Sequence, residues 1–276
     1  MPRRPDPRQL LARLPQGPVP ISTGSASVRV DGPSHVTLLV NGVPSSPLDL
    51  TDPAWLDFEY LQQMAAVVDQ LPPGPLDVVH LGAGGCAFAR RIDAARPGSR
   101  QLAVDVDPEL VRLVRTWFDL PRAPRLRLRA QDARETVAGL RDASTDVVVR
   151  DVFAPDTTPP GLCTAEFLAD AVRALRPGGL YLANCADRPP LRTARAEVAT
   201  AAAVMADVAV VAEPGLLKGR YYGNLVVVGV APGDGGLDLA SPALARALRS
   251  LAPPAHVLRG AELRAFAAGA APLRDA

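Results

Sequence analysis

The chain has 276 residues, 48% of them hydrophobic and 21% charged, which suits one large α/β domain, alone or with a small appendage. A net charge of +1 offers no overall field for nucleic acid or an anionic membrane. An aromatic content of 4% is low for a surface that stacks bases.

Residues 1–25 mix Pro, Arg and Gly and are expected as a loose N-terminal arm. "SVRVDG" and "HVTLLVNG" alternate in the manner of strands and each ends at a Gly turn, which predicts a small antiparallel hairpin unit within 26–72. "DPAWLDFEYLQQMAAVVDQL" has an Asp-Pro start and helical spacing of Trp55, Phe58, Leu61 and Met64. "PPGP" at 72–75 then marks a boundary. From Leu76 short apolar runs alternate with amphipathic helices at 86–96, 108–118, 132–141, 164–175 and 190–204. That alternation predicts a doubly wound, mostly parallel sheet of seven strands over 76–235. Its last two strands, "DVAVVAE" and "NLVVVGV", have no full helix between them and must pair antiparallel. A terminal hairpin of this kind is similar to the Rossmann-like fold of S-adenosylmethionine-type transferases. The Ala-rich tail, 236–276, is expected to be helical and exposed.

No stretch reaches the roughly 18 uninterrupted apolar residues of a membrane span, and the first residues lack the apolar segment of a signal peptide. Cys86, Cys163 and Cys185 lie far apart, as do His35, His80 and His256, so neither a disulfide framework nor a metal site is expected. These features lead us to expect a reduced, cytoplasmic, soluble protein with no nucleic-acid or membrane partner.

"HLGAGGCAFARRI" follows the first buried strand and opens a helix. Gly82 and Gly84 let the backbone turn and let a ligand approach the free N–H groups of the helix start. The same loop satisfies the GxGxxA form used for dinucleotides, and a plain strand-to-helix turn needs no ligand at all. The next strand ends "LAVDVDPEL". Asp105, with Val106 beside it, stands where an acid accepts hydrogen bonds from ribose hydroxyls. Asp107 reads as a helix cap, with Pro108 in first position. Asp132 ends a third strand. It is either an adenine ligand, with the Ala133 N–H on a ring nitrogen, or a cap completing a box with Glu135. Gly loop, acid and acid on three consecutive strands together point to a nucleoside.

A fourth run, Val147 to Val149, stops at Asp151 before a stiff loop, "VFAPDTTPPG". Here the sequence resembles the spermidine synthase (aminopropyltransferase) family. The resemblance is carried by "DVVVRDVFAPDTTPPGLCTAEFLADAVRALRPGGLYLAN", by the loop "VVHLGAGGCAFARRI", by "VDVDPEL" and "QDA", and by "LLVNGV", "FEYLQQM" and "RYYGNLVVVGV". It covers roughly residues 36–231. It implies decarboxylated S-adenosylmethionine as co-substrate, a small amine as acceptor, no metal, and a homodimer. It also implies that Gly82, Gly84, Gly85, Asp105, Val106, Asp132, Ala133 and Asp151 hold the donor. Asp151 and Tyr60 would act on the acceptor, with Gln62, Asp156 and Tyr222 around it. A protonated amine needs a carboxylate to take its proton.

The chain departs from the family pattern at the acids that hold cationic amines. The loop acid is Gly85, the second acid after the fourth strand is Ala154, and the His and Glu after Tyr60 are Leu61 and Gln62. Asp156 either replaces the missing acid or is simply solvated, and Tyr221 and Tyr222 either line the pocket or close a turn. A lost charge-assisted contact is worth roughly 1.5–3 kcal/mol. Intact S-adenosylmethionine thus becomes an alternative donor, and a methyltransferase or other alkyl transferase, or a non-catalytic nucleoside-binding relative, an alternative function.

Overall fold

The computed structural model describes residues 7–153 and 157–276. The N-terminal part comprises α1 (Pro7–Leu11), β1 (Val19–Ile21), β2 (Gly24–Val30), β3 (His35–Val40), β4 (Val43–Asp49) and α2 (Glu59–Val68). The larger part continues with β5 (Asp77–Leu81), α3 (Ala87–Ala95), β6 (Arg100–Asp105), α4 (Pro108–Trp117), β7 (Leu126–Ala130), α5 (Ala133–Ala138), β8 (Thr145–Arg150) and α6 (Ala165–Ala174). It ends with β9 (Leu175–Asp187), α7 (Arg192–Ala202), β10 (Asp207–Ala212), α8 (Pro214–Leu217), β11 (Gly223–Val230), α9 (Pro242–Arg249), β12 (His256–Arg259) and α10 (Gly260–Ala267).

The main sheet runs β12-β10-β11-β9-β8-β5-β6-β7. Strands β5 to β9 pair parallel, and β11 returns antiparallel between β9 and β10, as the short connection requires. Helices cover both faces. Val147 and Val149 pack among residues of α2, α3, α4 and α9, whereas Val148 packs among those of α5, α6, α7 and α10. This two-sided cover is why the run reads as continuous valine.

The sheet carries one strand more than expected. β12 comes from the tail and pairs antiparallel with β10. The tail does contain two helices, but Leu244, Leu248, Leu263 and Phe266 are buried, so it is packed onto the sheet rather than exposed. At the other end, the expected hairpin is a four-stranded antiparallel sheet, β1-β2-β3-β4. The stretch expected as a loose arm is built in over its described residues, with Leu10, Leu14 and Ile21 buried. The Asp-Pro pair at 52–53 forms a turn, and α2 starts only at Glu59.

The carboxyl ends of four parallel strands are laced together by main-chain bonds. Gly82 N donates to Val104 O at 3.0 Å, Gln131 N to Asp105 O at 2.9 Å, and Asp151 N to Leu81 O at 2.8 Å. Loops that follow these ends therefore start from one common edge, the place where open parallel sheets bind ligands.

Candidate functional site

Two glycines shape the loop between β5 and α3. Gly82 has φ +86°, and a Cβ there would stand 2.1 Å from the carbonyl oxygen of Asp151. The ends of β5 and β8 touch backbone to backbone, and only glycine fits. Gly84 has φ +45°, and its Cβ would meet Ser46 Oγ at 2.7 Å. Gly85 needs no unusual φ, but it has no room: a Cβ would lie 2.8 Å from Ser46 Cβ and 3.0 Å from Leu48 Cδ1. Its N–H donates to Ser46 Oγ at 2.8 Å. β4 thus occupies the volume that a side chain at 85 would need.

Asp105 is half-buried at the end of β6. Its carboxylate accepts from Asp107 N at 3.1 Å and, at a long 3.4 Å, from Gly84 N. Burial raises its pKa above the ordinary value, and these backbone donors pull the other way. Val106 beside it is 65% exposed. Asp107 is the cap its sequence position suggested, accepting from Leu110 N at 2.9 Å. Its other oxygen takes Thr23 N and Thr23 Oγ1 at 2.7 and 2.9 Å, fastening the N-terminal sheet to α4. Asp132 caps α5 through Glu135 N at 2.9 Å while its carboxylate remains exposed. The cap is formed, and Ala133 is buried behind it.

Asp151 follows β8. Tyr60 Oη donates to its Oδ2 at 2.9 Å, and Asn184 Nδ2 donates to its Oδ1 at 3.0 Å. Burial pushes its carboxyl above the ordinary value of 3.8, against the Asn184 and Tyr60 donors and the neighbouring Arg150 charge. Burial, and then the Asp151 charge, push the Tyr60 phenol well above 10.0, so this tyrosine keeps its proton and remains a donor. Asn184 escaped the sequence reading. Its only signal is an amide closing the apolar run "GGLYLA" within the strand beside β8. It is 2% exposed, and its Oδ1 is buried without a partner. A buried acceptor left open is costly unless something else satisfies it.

Arg150, one residue before Asp151, also went unnoticed. It is fully buried, paired with Glu197, and its Nε donates to Tyr181 Oη at 3.1 Å. A buried ion pair of this kind contributes little net stability, but removal of either member would leave an uncompensated charge.

The acceptor side differs from expectation in several places. Gln62 is turned away from Asp151, because its Nε2 donates to the carbonyls of Leu56 and Asp57 at 2.9 and 3.2 Å. Tyr222 is 56% exposed, with the Arg188 guanidinium 5.9 Å over its ring, and Tyr221 is 40% exposed and hydrogen-bonded to Glu213. Neither tyrosine borders the cavity at Asp151. Ala154 and Asp156 lie outside the described residues.

That cavity measures about 30 Å³ and is walled by Ser46, Tyr60, His80, Gly82, Cys86 and Asp151, among others. It holds a small group or a water, not a nucleoside. A ligand of that size would have to lie outside it, and Asp105 and Asp132 stand at the neighbouring strand ends. Asp105 is half-buried and Asp132 exposed there, so their carboxylates fit such a ligand. Among the described residues no three His, Cys, Asp or Glu side chains gather into a metal-binding group, and no helix is long and apolar enough to cross a membrane.

Residues 79–183 match the family model described as a methyltransferase domain. A polyamine aminopropyltransferase from Chromobacterium violaceum is 31% identical over 140 residues, 50% of this chain and 53% of that protein. Another, from Neisseria meningitidis, is 27% identical over 168 residues, 60% of this chain and 64% of that one. The chain thus spans between half and two thirds of the length of these curated relatives. The crystal structure of a probable spermidine synthase from Corynebacterium glutamicum superposes with a TM-score of 0.87 at 37% identity, over 94% of this chain and 96% of that one. With that identity over nearly the whole of both chains, this protein belongs to the spermidine synthase-like family, as a divergent member on the methyltransferase fold.

Proposed function

We propose that the chain is a transferase that moves an alkyl group from a sulfonium nucleoside, decarboxylated S-adenosylmethionine or S-adenosylmethionine, to a small amine. The observation that carries this reading is Asp151, a half-buried acid at a strand end, held by Tyr60 and Asn184.

Asp105 accepts the ribose hydroxyls, Asp132 and the Ala133 N–H meet the adenine, and the Gly82–Gly84 turn lets the donor approach the backbone. The bound donor supplies an electron-poor carbon next to positively charged sulfur. The acceptor's neutral nitrogen forms the new N–C bond as the C–S bond breaks, and the electron pair leaves on sulfur as a neutral thioether. Asp151 takes the proton that the nitrogen must lose. Its raised proton affinity suits that task. Tyr60 fixes one carboxylate oxygen and Asn184 the other, so the acid is oriented before the acceptor arrives.

One observation favours intact S-adenosylmethionine as donor: the wall beside Gly85 is Ser46 and Leu48, not an acid. The test is to incubate the purified chain with each donor and a panel of amines that includes putrescine. Methylthioadenosine or S-adenosylhomocysteine is then followed by mass spectrometry. Turnover that falls at least about a hundredfold in Asp151→Asn supports the assignment. A folded protein that binds no methylthioadenosine in calorimetry overturns it.

A further inference from the structure

Residues 273–275, beyond α10, turn back over three helices that each follow a strand of the main sheet. Leu273 N donates to Thr200 Oγ1 in α7 at 2.8 Å, and Leu273 O accepts from Ala165 N, at the start of α6, at 2.9 Å. Glu166, next in α6, takes Asp275 N at 3.0 Å on one carboxylate oxygen and Arg274 Nη1 at 3.2 Å on the other. The Asp275 carboxylate in turn receives both terminal nitrogens of Arg134, one of them at 2.8 Å. Arg134 lies in α5, two residues after Asp132. Its Nη1 also donates to Gly161 O at 2.7 Å, just ahead of α6. One short segment thus joins α5, α6 and α7.

We infer that Arg134 is a positioning residue for the adenine end of the donor, and that segment 273–275 is the strap that holds it. The inference rests on the sulfonium-nucleoside reading above and adds a device that acts on that site from behind. Asp132 is exposed at the end of β7, and its side chain is held only by the Glu135 N–H within its own helix. That helix has six residues, too few to be stable alone. Where Asp132 stands is therefore decided by what α5 is tied to, and Arg134 is the tie. Its planar fork meets the Asp275 carboxylate through two nitrogens, which fixes its direction as well as its distance. The two side chains are 35% and 38% exposed, so the tie is worth a few-fold in affinity and no more. Linkage then runs both ways: whatever strap order lends to adenine binding, bound adenine must return to the strap.

Hydrogen exchange and calorimetry on the full chain test this with two probes, methylthioadenosine and its analogue lacking the purine amino group. The analogue offers Asp132 no N–H at that place. Saturating methylthioadenosine should slow exchange of the peptide over residues 268–276, which carries the Leu273 and Asp275 amides, about threefold; the analogue should slow it less. Arg134→Ala should weaken methylthioadenosine about fivefold and leave the analogue within about twofold, and Arg134→Lys should recover part of the loss. Exchange over 268–276 that is unmoved by bound methylthioadenosine overturns the inference, and this measurement needs no variant to fold. Equal weakening of both probes by Arg134→Ala overturns it as well, because it marks a general loosening of the fold. In both cases methylthioadenosine still binds the wild type, so the nucleoside reading stands. Failure of methylthioadenosine to bind the wild type removes that reading and this inference together.

Discussion

Gly85→Asp restores the acid that the resemblance led one to expect at this position, and the structure predicts that the protein will not accept it. The new Cβ would stand 2.8 Å from Ser46 Cβ and 3.0 Å from Leu48 Cδ1. Ser46 Cβ is fixed to the backbone, so β4 itself must move. That movement is opposed by the bond from Arg90 to Asp49 O at 2.8 Å and by the loss of the Gly85–Ser46 bond. Overpacking of a tight site costs about 1–3 kcal/mol, and the lost hydrogen bond about 1 kcal/mol more. Burial of the carboxylate adds to this unless it draws in water or a proton. We expect a destabilisation of about 2–4 kcal/mol in urea titration with an unchanged slope. The double variant Gly85→Asp with Ser46→Gly removes the closest contact and should recover about half of the loss. A single variant within about 0.5 kcal/mol of wild type would refute the claim that β4 fills this space.

Three further changes probe the site. Asn184→Ala removes one of the two donors that hold Asp151 ionised, so the acidic limb of the pH–rate profile should move to higher pH; an unmoved limb means that Asn184 does not orient the acid. Asp105 has a carboxyl raised by burial, so its charge costs stability as pH rises past the ordinary carboxylate range. Asp105→Asn should therefore melt no lower than wild type at pH 7 while binding methylthioadenosine about tenfold more weakly or worse; a lower melting point with unchanged binding would show a structural acid instead. His80 is buried against Gln101 and its pKa is pushed down to about 4 from an ordinary 6.5, so it folds neutral. The unfolded chain takes up its proton first, and stability is lost as pH falls from 6.5 to about 4, by about 3 kcal/mol at 1.36 kcal/mol per unit. His80→Leu should flatten that part of the stability–pH curve, and an equally steep curve in the variant rules His80 out as its cause.

What the sequence made legible is what local chemistry decides. The two-faced burial of Val147 to Val149 is written in three β-branched residues between turn signals, and the cap at Asp107 in an acid before Pro108. Asp151 could be singled out because an acid at the end of a buried run has no local reason to be there. Asn184 could not, because its meeting with Asp151 is made by the pairing of β8 with β9 across 33 residues of chain. Gln62 misled for the opposite reason. Its place in the resemblance put it at the acceptor, but α2 begins seven residues later than the Asp52 start, and the amide is drawn to the carbonyls of the irregular stretch just before it.

The N-terminal sheet is the part whose role depended most on tertiary contact. Read alone, it is a small hairpin unit joined to a nucleoside domain. In the structure it is fastened at three points, all of them just after the nucleoside strands: Thr23 to Asp107 after β6, Ser46 to Gly85 after β5, and the Asp49 carbonyl to Arg90 in α3. Each tie engages a group at or near a helix start. Only one of the three takes a loop amide, that of Gly85, and closes it to a ligand. The Gly85 amide is taken by Ser46, and the Ser46 hydroxyl stands in its place. The loop, which has no side chain at 85, is thus lined here by a strand 39 residues earlier. Ser46→Ala should then loosen the tie of β4 to this loop and lower the melting point, whereas a change at Asp105 leaves all three ties in place.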